Sequence, residues 1–286
     1  MFSLRFKIIL YVSIVLPALL LSLRVNAGEK LVFAVHPYMP ATELVERFTP
    51  LIKYLGKELG ETIEIRVSRD YQNHITDVGK DRVDIAYMGP ASYVKLIYTY
   101  GRKPLLARQE INGRPTFHGV IIVRKDSPLR SLAELEGKRF AFGDPESTMS
   151  YILPSYMLWK EKIPLDKLGG YSFLDNHYNV ALGVLAGDFD AGAVKEEVFY
   201  EYEKRGLREL VKTPEISDHV FVATNRLSPE KIRKVRTALY ALSGNEEGRN
   251  ILNSIKATIS LVPAREEDYD NLHEILHALE NIGPHK

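Results

Sequence analysis

The sequence predicts an α/β protein made of two comparable units, and three observations carry that reading. Short β-branched and aromatic runs alternate with stretches of helical periodicity. The alternation runs through three strands and then begins again, in kind though not in sequence. No low-complexity tract and no repeat of solenoid period offers a different architecture.

The first unit opens with Leu31-Val32-Phe33-Ala34-Val35, a compact run that reads as a buried strand. His36-Pro37-Tyr38-Met39-Pro40 breaks it, and Thr42-Glu43-Leu44-Val45 begins a helix with Thr42 placed to cap it. Leu44, Val45, Phe48, Leu51, Ile52 and Leu55 keep close to a 3.6-residue period, and Pro50 is expected to bend or split that helix. Ile63 to Val67 and Val83 to Tyr87 read as strands, the latter ended by Met88-Gly89-Pro90 ahead of a helix from Ala91 to Tyr100. The second unit has strands at Val120–Val123, Arg139–Phe142 and Ala191–Val194. Its helices are a short one from Ser131, one from Thr148 to about Lys162, and one over Asn179–Ala186. Val220 to Ala223 is a further strand, and three helical patterns follow Ser228.

The start of the chain points to export. Arg5 and Lys7 precede an apolar run from Ile8 to Leu23, and Val25-Asn26-Ala27 supplies the small residues of a cleavage site. A membrane anchor is the competing reading, but the run is short for a span and Pro17 interrupts it. Cleavage after Ala27 is therefore expected, leaving about 259 residues that are 45% apolar across the full chain, enough for one large core or two modest ones. Residues 1–27 hold three basic and no acidic residues, so 38 basic against 37 acidic becomes 35 against 37, a net charge of −2. Such a balance gives no footprint for nucleic acid or an anionic membrane, and any anion selectivity must be local. With no cysteine there is no disulfide framework, no thiolate metal site and no lipid-bearing cysteine after the signal. A soluble monomer without cofactor or metal is expected.

Ser147-Thr148-Met149-Ser150 follows a strand and starts a helix. A helix N-terminus leaves backbone N–H groups unpaired beside a partial positive charge, so an oxyanion finds donors there, and hydroxyls add more without adding charge. The competing reading is N-capping, for which one hydroxyl suffices. Tyr87 ends a buried strand, where ligands of α/β proteins gather, and Tyr38 stands in the equivalent place after the first strand. Either is otherwise an ordinary half-buried aromatic. His273 and His277 share a helix face, but no neighbouring motif supports zinc.

Taken together, Val83-Asp84-Ile85-Ala86-Tyr87-Met88-Gly89-Pro90, the loop Phe142 to Ser150 with Pro154 beyond it, and His177, Ala181, Gly187-Asp188 and Asp190 to Val194 resemble one family. It is that of the periplasmic phosphate, phosphite and phosphonate-binding proteins (PhnD-like), of the type II solute-binding fold. The likeness implies a two-lobed type II periplasmic-binding-protein fold, each lobe a mainly parallel sheet flanked by helices with the ligand cleft between. It also implies delivery to an ABC permease. Lobe boundaries then follow: 28–119 in lobe 1, 120–218 in lobe 2, and 219–286 back in lobe 1, with crossovers near 118–121 and 217–221. The resemblance makes Ser147, Thr148, Ser150, Tyr87, Tyr38 and His177 the expected ligand-binding residues. Asp218 is placed to accept a proton from a protonated oxyanion. Glu197 stands nearest the carboxylate that holds the amine of an aminophosphonate in some relatives, yet Lys195-Glu196-Glu197 mixes signs; Glu196 and Glu197 read equally as the first turn of a solvated helix, and Lys195 as facing the anion instead.

An enzyme is the rival class. No Gly-x-Ser-x-Gly elbow, phosphate loop or His-Glu-x-x-His appears, and Ser147 has no identifiable base. A sensory module reporting the same ligands to a membrane receptor would use the same pocket.

Overall fold

The structure is a computed structural model that describes residues 30–255 and 258–281. The expected signal segment and its cleavage point lie outside the described residues. The first third of the chain forms β1 (Leu31–Val35), α1 (Ala41–Leu59), β2 (Ile63–Val67), α2 (Tyr71–Gly79), β3 (Ile85–Met88), α3 (Pro90–Tyr100), β4 (Leu105–Ile111) and a short β5 (Thr116–Phe117). There follow β6 (Gly119–Arg124), β7 (Arg139–Phe142), a π-helical turn (Thr148–Ile152) running into α4 (Leu153–Lys160), β8 (Gly170–Phe173) and α5 (His177–Ala186). Next come β9 (Ala191–Lys195), α6 (Glu196–Glu203), β10 (Leu207–Lys212) and a short β11 (Ile216–Ser217). The chain then adds β12 (Val220–Ala223), α7 (Pro229–Ala241), α8 (Glu246–Ser254), β13 (Thr258–Val262) and α9 (Asp270–Asn281).

These strands make one six-stranded sheet in the order β13-β4-β12-β3-β1-β2 and one five-stranded sheet in the order β10-β6-β9-β7-β8. Both sheets are mixed rather than mainly parallel. β1 pairs in parallel with β2 and β3, and β7 with β8 and β9, while β12 and β6 run antiparallel to β3 and β9. The reason lies in the route of the chain. It crosses between the sheets twice, through β5 and β11, which pair as a two-stranded ribbon at Phe117↔Ile216 and Thr116↔Ser217. Both crossings leave the ribbon at the end of the sheet where the parallel strands finish, so the next strand, β6 or β12, must run the opposite way. The crossing thus sits just ahead of the expected 118–121, since β6 has already begun at Gly119.

Side-chain alternation explains why each sheet is buried on both faces. In β1, Leu31, Phe33 and Val35 join the core under α1, α7 and α8, whereas Ala34 faces the core built with α3 and α9. β12 does the same, with Phe221 and Ala223 on one side and Val220 and Val222 on the other. In the second sheet Ile121, Phe140 and Phe142 pack with Leu158 of α4, and Val120, Ile122 and Ala141 pack with Val180, Val184 and Phe199 of α5 and α6.

Two local expectations change. α1 is a single helix through Pro50, because Leu44, Phe48, Leu51, Ile52 and Leu55 bury one continuous face on both sides of it; it begins at Ala41 after Pro40, so Thr42 lies within the first turn. The helix expected from Thr148 opens instead as a π turn, with Ile152 N–H reaching back to the Ser147 carbonyl.

At the centre of the second sheet, Gly192 is required by close approach: a Cβ there would lie 2.7 Å from Val180 Cγ1 and 2.9 Å from Val184 Cγ2. Gly192→Ala should therefore push α5 off its sheet and cost about 1–3 kcal/mol, read as a lower urea midpoint at unchanged slope.

Candidate functional site

The parallel strands of both sheets end toward one another, and between their ends lies a small, nearly filled cavity. The first sheet contributes His36 and Tyr38 beyond β1, Tyr71 at the start of α2, and Gly89 and Pro90 at the start of α3. The second contributes Ser147, Thr148 and Met149 from the π turn, His177 from the start of α5, and Lys195 from the end of β9; Phe117 and His219 complete it beside the ribbon. Several helices begin at this wall, so their N-terminal N–H groups and partial positive charges converge on it.

The hydroxyl segment divides its work. Ser147 caps the π turn by accepting the Ser150 N–H at 3.3 Å, and it stands near the Tyr71 hydroxyl from the other sheet. Thr148 Oγ1 accepts the N–H of Ala91, in the first turn of α3, at 3.0 Å. It therefore caps a helix across the cleft rather than its own. Ser150, expected at the ligand, does not line the cavity: its hydroxyl donates to the Ala193 carbonyl of β9. Met149 takes the place on the wall. Among the described residues the Thr148 and Met149 N–H groups find no acceptor.

The tyrosines also separate. Tyr38 is on the wall, stacked on His36 at 4.8 Å between ring centres, with Lys195 Nζ over its ring, 4.7 Å from the ring centre. Tyr87 is not. Its hydroxyl donates to Gln109, whose amide donates to Thr258, and its ring lies flat against His219 at 5.0 Å and 8°. What was read as a ligand donor is the support for a histidine that was not singled out.

His177 Nδ1 accepts the Lys195 backbone N–H at 3.2 Å, which leaves the proton on Nε2 as a donor. Glu197 is drawn away from the cavity wall by two internal cations, Lys195 Nζ at 2.8 Å and Arg47 at 2.9 Å. Arg47 belongs to α1, so this ion chain also bridges the cleft. Asp218 is fully buried behind the wall; Oδ1 accepts the His219 backbone N–H at 2.6 Å and faces its ring Nδ1 at 2.7 Å, and Oδ2 has no partner. His36, Tyr71, Phe117, Met149 and His219 are the wall residues that sequence reasoning passed over. His219 stood next to Asp218, and His36 sat in the strand-ending loop that also holds Tyr38.

Burial governs the ionisation of these groups. It pushes His36 and His219 down, and takes His74 to about 4 and His177 to about 3, with Lys195 adding to the last. At neutral pH the wall thus offers neutral imidazoles, and the standing charge is the Lys195–Glu197–Arg47 chain. Glu197, despite its burial, is held well below the usual carboxylate range, above all by Lys195 and then by Arg47. Burial pushes Asp144, in the loop before the hydroxyl segment, up to about 6.

These directions fix an acid sensitivity. A histidine kept neutral in the fold binds its proton only after unfolding, so stability is lost as pH falls from 6.5 toward 4 for His74 and toward 3 for His177. Each contributes up to about 1.4 kcal/mol per pH unit, Glu197 loses its stabilisation in the same direction below the ordinary glutamate range, and Asp144 and Glu196, whose carboxyls burial pushes up, oppose them. Urea unfolding should give about 2–3 kcal/mol less stability at pH 5 than at pH 7. Equal values would mean that these histidines are protonated in the fold.

Comparison with known proteins agrees with this geometry. Residues 33–269 match the model of the family described as ABC transporter, phosphonate, periplasmic substrate-binding protein. The chain is 27% identical over 274 residues to the phosphate-import protein PhnD of Mycolicibacterium smegmatis, covering 86% of this chain and 85% of that one. It is 24% identical to a probable ABC transporter phosphite-binding protein, PhnD1, of Prochlorococcus marinus, covering 84% and 86% of the two chains. The structure of PhnD1 from Prochlorococcus marinus in complex with methylphosphonate superposes with a TM-score of 0.80 at 24% identity over 87% of this chain and 98% of that one. The chain belongs to the family of phosphonate substrate-binding proteins of ABC transporters, which work in the periplasm.

Proposed function

We propose that this protein captures a small phosphorus oxyanion, namely phosphate, phosphite or a short alkylphosphonate, and presents it to an ABC permease in the inner membrane. The observation that carries the reading is the wall itself: hydroxyl, imidazole and backbone donors from both sheets converge on one small cavity at the ends of several helices. Of the two relatives named above, one is described by phosphate and the other by phosphite and methylphosphonate, all small tetrahedral phosphorus oxyanions.

An amine-bearing phosphonate fits less well. Its ammonium would need an unpaired carboxylate, and Glu197 already holds Lys195 and Arg47. Lys195 stands where a ligand amine would have to stand. Secretion with cleavage after Ala27 and a monomeric mature chain belong to the same reading, as does closure by rotation about the β5–β11 ribbon.

A ligand that binds only folded protein stabilises it by RT ln(1 + [L]/Kd), about 2.7 kcal/mol at a hundredfold excess over Kd. After removal of co-purified ligand, one or more of phosphate, phosphite and methylphosphonate should raise the melting temperature, and sugars, amino acids and polyamines should not. An amino acid that succeeds where all phosphorus oxyanions fail would refute the ligand class.

Thr148→Asp separates capping from ligand binding. A carboxylate still accepts the Ala91 N–H, so folding should survive. Its charge would lie at the cavity wall, however, and at ~4 Å with an effective dielectric near 20 it repels an anion by about 4 kcal/mol, or roughly three decades in affinity. Calorimetry showing parent-like affinity in this variant would place the ligand elsewhere.

A further inference from the structure

His219 presents the wrong face to a fully ionised ligand. Its backbone N–H already donates to Asp218 Oδ1, so that oxygen is an acceptor, and the ring nitrogen 2.7 Å from it, Nδ1, carries the proton. Nε2 of the neutral ring is then a lone pair. It lies on the cavity side, 4.0 Å from where a Cβ on Gly89 would stand, with no hydrogen-bond partner among the described residues. An oxyanion oxygen without a hydrogen would meet this lone pair head-on, and burying an acceptor unpaired is costly.

A second observation points the same way. His36 is 2% exposed, its ring centre is 5.0 Å from that of His219, and neither of its nitrogens has a partner. A neutral imidazole there can donate to one ligand oxygen, but it cannot relieve His219 of its lone pair. From the π turn, α5 and the backbone the ligand receives donors; at His219 it must supply one.

We infer that His219, oriented by Asp218, makes the protein take its oxyanion together with one proton, held between a ligand oxygen and Nε2, and reject tetrahedral anions too weakly basic to share one. This rests on the phosphorus-oxyanion reading above. The balance is simple. The complex contains one proton more than the ligand dianion plus the neutral ring. That proton arrives on the ligand when the monoanion binds and from solvent when the dianion does. Whether it sits on the ligand oxygen or on Nε2 does not alter the count.

Burial disfavours a charge on the ring itself, so the extra proton must be shared with the ligand anion, with Asp218 in support. Asp218 lies behind the ring and attracts a proton. His36 and Tyr38 from the end of β1, and Tyr87 from β3, add no charge while neutral. Lys195 opposes protonation and Glu197 favours it, but the two are paired with each other, and His177 from α5 is held neutral. Asp218 is the one carboxylate in hydrogen-bond contact with the ring.

The test is calorimetry with methylphosphonate and with methanesulfonate, a tetrahedral anion of the same shape that has no acidic hydrogen at working pH. Measured in two buffers of different ionisation heat, well above the second pKa of methylphosphonate, binding should take up close to one proton. Its affinity should fall about tenfold per pH unit there. Below that pKa, where both probes are monoanions, methanesulfonate should bind at least about a hundredfold more weakly, the unpaired acceptor being the cause. His219→Gln, whose amide can donate to an ionised oxygen, should flatten the pH dependence and narrow the gap to less than about tenfold. Methylphosphonate binding without proton uptake, methanesulfonate within tenfold in the parent, or an unchanged slope in the glutamine variant overturns the inference and leaves the ligand class standing. The two parent titrations decide even if the variant does not fold. Failure of methylphosphonate, phosphate and phosphite alike to bind overturns the ligand class and the inference with it.

Discussion

The double crossing of the chain at the β5–β11 ribbon is the constraint from which the cleft follows. Because both connections pass at one point, the parallel strands of the two sheets must finish facing each other, and the strands that leave the ribbon must run against them. Helices that follow parallel strands then begin at the same place. α3, the π turn, α5 and α6 all start there, each turning its N-terminal end toward a space neither sheet could enclose alone. The site is thus a property of chain routing first and of residue choice second.

Residue choice then settles what kind of donor stands at those positions. A permanently cationic wall would hold any passing anion, and the chain avoids one. Lys195 is the cation on the wall, and Glu197 answers it at 2.8 Å, with Arg47 completing the chain across the cleft. The remaining polar groups are hydroxyls and imidazoles that burial keeps neutral. Discrimination must then come from hydrogen-bond direction, since neutral groups distinguish donors from acceptors where a bare charge does not.

How much of this was legible in the sequence follows from which signals are local. β1, β6, β7 and β12 were readable because they are largely apolar runs buried on both faces, and β2 because Ile63, Ile65 and Val67 alternate with exposed Glu64 and Arg66. β4, β10 and β13 were not: Leu105-Leu106-Ala107-Arg108-Gln109-Glu110-Ile111 carries the polar residues of a strand whose meaning comes from distant partners, as β4 pairs with β12 and β13. In the site, Ser147, Thr148, Tyr38 and His177 announce themselves through a loop between strand and helix. Ser150 and Tyr87 look identical at that level and turn away, because an acceptor on another segment, Ala193 or Gln109, claims each hydroxyl. Glu197 is likewise claimed by Arg47, 150 residues away. His219 carries no local signal at all; its role is set by the neighbouring carboxylate and by a tyrosine ring from another strand.

Thr148 joins the two levels. Its oxygen accepts the Ala91 N–H, which ties the second sheet to the first turn of α3, and its hydroxyl proton stays free to be donated. A hydroxyl that donates to an anion becomes a better acceptor, because hydrogen bonds in series polarise one another. Ligand binding at Thr148 would therefore tighten the bond that bridges the cleft, and a bridged cleft presents the hydroxyl to the ligand. Ser147 and Tyr71 approach each other across the same cleft. The same few hydroxyls can thus recognise the anion and hold the two sheets together, so that affinity and closure draw on one set of hydrogen bonds.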